Sequence, residues 1–202
     1  KYDWQEKSLG AAIHAEIIYT LLNMNSLFLK NTGDYAPGGA ISVTSMHYYT
    51  DKNVYVKNLN CNFKSNRAHG GSAMYGYDCP NIININCTFI ANYGTKREQG
   101  ALFFRAHRQI TMQNINVVFR NDFAIMQGVI LIKSYTESTQ LKNIMCVFDS
   151  NLGQYKNIIY VYGPAINFVD IRSKYLYSTL FSSDTSIIHL TKANSIKLHN
   201  IT

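Results

Sequence analysis

Apolar and polar positions follow one pattern that recurs seven times along the chain: apolar, x, apolar, x, Asn, apolar, x, small, x, aromatic. The clearest copies are Val54-x-Val56-x-Asn58-Leu59-x-Cys61-x-Phe63 and Ile110-x-Met112-x-Asn114-Ile115-x-Val117-x-Phe119. A third, Ile166-x-Phe168-x-Asp170-Ile171-x-Ser173-x-Tyr175, puts Asp at the polar anchor, and looser copies centre on Asn23, Asn84, Asn143 and Asn200. The anchors lie 26 to 35 residues apart. Alternation with period two is the strand signal, and its phase changes at each anchor, so two short strands should meet at a corner there. Another apolar run precedes each unit, usually opened by Gly, as in Gly39-Ala40-Ile41-Ser42-Val43 and Gly128-Val129-Ile130-Leu131-Ile132.

Three short strands per repeat of roughly 29 residues describe one coil of a parallel β-helix. The fold class expected is therefore all-β: a right-handed parallel β-helix, single-stranded, of about seven coils, right-handed because parallel crossovers almost always are. Residues 1–9 read as a lead-in and 10–202 as the β-helix, which runs to the last residues and is expected to continue in a longer chain. Stacked coils place equivalent residues in columns. The Asn column (Asn23, Asn58, Asn84, Asn114, Asn143, Asp170, Asn200) should form a buried amide ladder, with Asp170 needing a hydrogen-bond donor nearby. The columns Met24/Leu59/Ile85/Ile115/Ile144/Ile171 and Phe28/Phe63/Phe89/Phe119/Phe148/Tyr175 should supply the core, and Cys61, Cys87, Val117 and Cys146 a column of small side chains.

The Phe-x-x-Asn units Phe28–Asn31, Phe63–Asn66, Phe89–Asn92 and Phe148–Asn151 alternate with Gly38-Gly39-Ala40-Ile41 and Gly70-Gly71-Ser72-Ala73. That alternation resembles the repeats of polymorphic outer-membrane and adhesin-type proteins in the pectin-lyase-like β-helix class. The resemblance implies an extracellular or cell-surface protein acting in adhesion or as a rigid spacer. It covers about residues 10–202, although the Gly-Gly element fades after Gly100, and it specifies fold far more than function.

Composition narrows the chemistry. Only 12 residues are acidic, no two Asp are adjacent, and the carboxylates do not recur at equivalent coil positions. The paired carboxylates of a polysaccharide hydrolase are thus missing from the pattern, and no catalytic residue is assigned. No Cys-x-x-Cys, His pair at ligand spacing or phosphate-binding Gly-Lys loop is present, so neither a metal nor a cofactor is expected. No apolar run is long enough for a transmembrane helix. Cys61 and Cys87, on neighbouring coils, are spaced for either a disulfide or two buried thiols, and Cys79 is expected in a turn, exposed or paired elsewhere. Asn86-Cys87-Thr88 is a sequon that makes Asn86 an outward candidate for a glycan.

Two surfaces are candidates for function. If Ile41, Ala73, Leu102, Ile130, Ile159 and Ile188 face inward, then Met74, Phe103, Leu131 and Tyr160 face outward, beside Val129, Ile158 and Ile187. Such an apolar strip marks an interface with partner chains, unless Lys1–Leu22 folds over it. The second surface follows from a charge of +7 with basic turns. Arg67, Arg97, Arg105, His107 and Arg108, interleaved with Tyr75 and Tyr77, suit an acidic polysaccharide. Nucleic acid is not expected. The favoured function is a structural or adhesive rod assembling through the apolar strip; the alternative is acidic-glycan binding.

Overall fold

The computed structural model describes residues 12–16, 20–44, 55–79, 81–95, 100–125, 128–153, 158–176, 179–180 and 187–199. It is an all-β parallel solenoid, with no helix among these residues. The sheet order is the repeat itself: each strand pairs only with its equivalents one repeat earlier and later, always parallel.

There are four sheets. The first is seven-stranded, from Ile13–Glu16 through Ile41–Thr44, Met74–Tyr77, Leu102–Ala106, Ile130–Ser134 and Ile159–Tyr162 to Ile188–Thr191. The second, also seven-stranded, holds the anchor motif, for example Tyr55–Leu59, Asn81–Ile85 and Ile110–Ile115. The third is built of three-residue strands such as Asn62–Lys64 and Thr88–Ile90, and the fourth includes pieces as short as Tyr93–Gly94. Four strands per turn replace the expected three, because two residues of pairing are too few to leave a period-two signature. Each turn contributes one strand to each sheet, so the first two sheets count seven strands and the last two six.

The corners are set by backbone conformation. Asn25, Asn60, Asn86, Asn116, Met145 and Arg172 occupy the left-handed region, with φ between 50° and 56°. This column lies two residues beyond each ladder Asn, so the bend sits after the ladder and not at it. Asn is among the few side chains that tolerate this region, which explains its recurrence. A second left-handed column, Lys30, Ser65, Ala91, Asn121 and Ser150, turns the chain from the third sheet into the fourth.

Three kinds of column hold the turns together. Inside, Phe28, Phe63, Phe89, Phe119, Phe148 and Tyr175 stack face to face at 4.7–5.0 Å, with interplanar angles of 4–10°. The spacing is that of the strands, so one ring stacks on the next at every turn. Beside them runs the predicted ladder: the Nδ2 of Asn23, Asn58, Asn84 and Asn114 donates to Oδ1 of the next member at 2.8–3.0 Å, ending on Asn143. It stops at Asp170, whose carboxylate accepts from the Tyr175 hydroxyl instead. That leaves Asn143 Nδ2 and Asp170 Oδ1 buried without partners. Asn200 lies outside the described residues.

The Phe-x-x-Asn asparagines form a second buried ladder that the repeat pattern did not announce as one. Asn31, Asn66 and Asn92 each donate Nδ2 to the Oδ1 one turn on, reaching Asp122. Outside, Asn25, Asn60, Asn86 and Asn116 form a third amide ladder, exposed, at 2.9–3.2 Å.

The core differs from expectation in two columns. Leu59, Ile85, Ile115, Ile144 and Ile171 are half-exposed and Met24 is exposed, because the residue after an inward Asn must face outward on a strand. In the first sheet Met74, not Ala73, pairs with Ile41 and Leu102 and is fully buried. Gly38 and Gly71 both take positive φ, which fixes Gly38-Gly39-Ala40-Ile41 opposite Gly71-Ser72-Ala73-Met74, one residue off the alignment of Gly-Gly pairs. All four cysteines are free and buried. Cys79 is in the core, not an exposed turn, and burial pushes its thiol up to about 12.

Candidate functional site

The proposed assembly strip is not a free surface. Met74, Val129 and Ile158 belong to the main core with no exposure. Tyr75, Phe103, Leu131 and Tyr160 do form an outward column, in register with Ser42 and His189, but they are only 0–8% exposed and make a second hydrophobic cluster. Tyr77 and Tyr162 pack at its margin. Of the strip, Ile187 alone is exposed.

One column further along the same strands lie Tyr77, Arg105, Lys133 and Tyr162, paired residue to residue across the sheet. The Arg105 guanidinium carbon sits 4.8 Å from the Tyr77 ring centroid and 5.9 Å from that of Tyr75, and its Nε donates to the Tyr75 hydroxyl at 3.1 Å. Cation–π contacts of this kind contribute about 0.5–1 kcal/mol where water reaches them. His107 follows in the bend after the strand, its ring edge-on to Tyr77 at 6.1 Å and tilted against Tyr135 at 5.6 Å. Tyr135 meets Tyr162 at 6.0 Å, and Lys192 Nζ lies 5.8 Å from the Tyr162 ring. Asp78 holds the bend, accepting from the His107 backbone N–H at 2.8 Å. Burial raises the Tyr77 phenol, Asp78 adds to the rise, and Arg105 opposes it.

The structure thus brings Tyr75, Tyr77, Arg105 and His107 into one aromatic–basic array, with exposed Arg108 beside them. Arg67 is elsewhere, on the fourth sheet, over the Tyr93 ring at 5.7 Å; Tyr93 in turn stacks on Phe123 at 4.6 Å. Arg97 lies outside the described residues. Tyr135, Tyr162 and Lys192 were not found from sequence. The clue to Tyr162 was its register with Lys133 and Arg105, one and two turns away respectively, legible only once the turn length is fixed.

Asn86 is exposed at its corner as expected, yet its Nδ2, the atom a glycan would occupy, donates to Asn60 Oδ1 at 3.2 Å, and its Oδ1 accepts from Asn116. The described carboxylates are engaged separately: Asp149 with Arg120 at 2.9 Å, Glu137 with the Gln109 N–H, Glu16 with His14, Asp170 with Tyr175. Among the described residues no three His, Cys, Asp or Glu gather as a metal site would require. No helix of the described residues is long and apolar enough to cross a membrane.

The class defined by these features is the parallel β-solenoid with internal amide and aromatic ladders. Comparisons of the chain with family models, curated proteins and solved structures found no match.

Proposed function

We infer that the protein is a non-catalytic structural or adhesive element, working outside the cell or at its surface, whose solenoid assembles with partner chains. The observation that carries this reading is the run of aromatic stacks and amide ladders, which commits most inward Asn side chains to fastening one turn to the next. Such a body is quasi-one-dimensional and stiff, suited to spacing and presentation. The carboxylates, each held by a different partner, are not disposed as a donor and base would be. The resemblance to adhesin-type, pectin-lyase-like repeats agrees with this role and rests on the Gly-Gly-Ala-Ile and Phe-x-x-Asn units alone.

The contact surface in this reading moves to the outward column of the second sheet, Leu59, Ile85, Ile115, Ile144 and Ile171, half-exposed along the rod. Native mass of the gently purified protein tests it. Ile115→Lys with Ile144→Lys should dissociate an assembly while the circular dichroism stays native; a mass unchanged by the substitution overturns the assignment.

A second reading is favoured by the array around Arg105. Tyrosine faces alternating with cations suit a sugar polymer bearing carboxylates or sulfates. Heparin is a suitable probe. Binding should weaken with salt and fall at least tenfold in Arg105→Ala, and binding indifferent to both refutes this reading.

A further inference from the structure

The second buried ladder contains one carboxyl where its pattern requires an amide. In this column the Nδ2 of Asn66 and of Asn92 each serves two acceptors. One is the Oδ1 of the next turn; the other is the carbonyl of the Phe three residues before the preceding member. Asn66 thus donates to Phe28 O at 3.1 Å, Asn92 to Phe63 O at 3.0 Å, and Asn151 to Phe119 O at 2.9 Å. Register makes the Phe89 carbonyl and Asn151 Oδ1 the corresponding acceptors for position 122. Asp122 occupies that position, with no exposure. Its Oδ1 plays the ordinary role, accepting from the Asn92 backbone N–H at 2.8 Å and from Asn92 Nδ2 at 2.9 Å. Its Oδ2 is buried without a partner, at the register position where the neighbouring asparagines carry the amide nitrogen.

An ionised carboxylate has nothing to donate there, and its second oxygen would carry charge beside lone pairs in a dry interior. A neutral carboxyl has one proton, enough to bond either the Phe89 carbonyl or Asn151 Oδ1. We propose that Asp122 is carried as the neutral acid and acts as a proton-dependent latch between the turns of Asn92 and Asn151, closed when protonated and strained when ionised.

Among the described residues no charge is placed to offset the ionised form. The side chains of Lys64, Arg120, Asp149 and Lys174 on the third sheet face outward, and Arg120 pairs with Asp149. On the fourth sheet Arg67 lies out over Tyr93. Burial pushes the Asp122 carboxyl from 3.8 up to about 7, against the opposing pull of its bonds from Asn92.

The sign follows directly. The folded form holds a proton that the unfolded form has released, so stability is full below about pH 4, declines as pH rises towards 7, and levels off above. The test compares the intact protein with Asp122→Asn, whose amide restores both donors, by denaturant unfolding across pH 4 to 9. The ratio of folding constants, natural over variant, should fall about tenfold per pH unit through that window and then flatten. Parallel curves for the two proteins overturn the proposal. Infrared difference spectra supply an independent reading on the folded natural protein. At pH 6 a protonated-carboxyl carbonyl band should be present that Asp122→Asn lacks; identical spectra from the two proteins refute the assignment.

Discussion

Two asparagines two residues apart, one on the strand Asn81–Ile85 and one in the left-handed corner that follows it, give the sharpest test of how the turns are joined. Asn84 is fully buried: its Oδ1 accepts from Asn58 Nδ2 at 2.8 Å and its Nδ2 donates to Asn114 Oδ1 at 2.9 Å. Truncating it to Ala removes both bonds and strands both neighbours. The Asn58 amide retains only a weak acceptor, Met74 Sδ at 3.3 Å, while Asn114 Oδ1 is left with none from that side. A buried polar group left unpaired costs about 1–3 kcal/mol, so Asn84→Ala should lose about 2–5 kcal/mol. Asn86 makes the same two ladder bonds on the outside, where water takes over any partner that is released. Its φ of 52° would penalise Ala, so the proper comparison is Asn86→Gly, expected to shift stability by no more than about 1 kcal/mol either way. Guanidinium unfolding followed by circular dichroism, with the slope checked for constancy, measures both. Equal losses at the two sites would refute the reasoning, since they would mean that the bonds themselves, and not the desolvation of their partners, decide the outcome.

Two further outcomes follow from burial. Phe103→Lys, at a position 4% exposed within the second cluster, should unfold or destabilise the protein by about 3 kcal/mol or more by thermal melting, and not merely alter assembly. Burial pushes the thiols of Cys87 and Cys146 up to about 11, so at pH 8 a thiol reagent should label neither until denaturant is added. Prompt labelling of either in the folded protein would show that the small-residue column is open to water.

Legibility differed sharply between parts of the molecule. The Phe stack and the first amide ladder could be read from spacing alone, because a parallel solenoid turns equal sequence phase into spatial neighbourhood. The fourth sheet could not: Tyr93–Gly94 is too short to carry a period. The position of the bend was misread because a phase change between Asn84 and Cys87 fits a corner at either Asn84 or Asn86, and the left-handed φ of Asn86 decides it. Of the candidate sites, Arg105, His107, Tyr75 and Tyr77 were grouped from sequence, but Arg67 was grouped with them wrongly, since proximity in the chain spans two sheets here.

The sequence by itself determined the β-helix class, the stacking phase of the anchor and Phe columns and the first amide ladder, because those depend only on repeat length. Tertiary structure alone decided which apolar faces are covered. Phe103 and Leu131 alternate outward on their strand and are nevertheless buried, whereas Ile85 and Ile115, equally apolar, remain half-exposed. Strand periodicity states which side a residue faces; whether that side meets water depends on what packs against it.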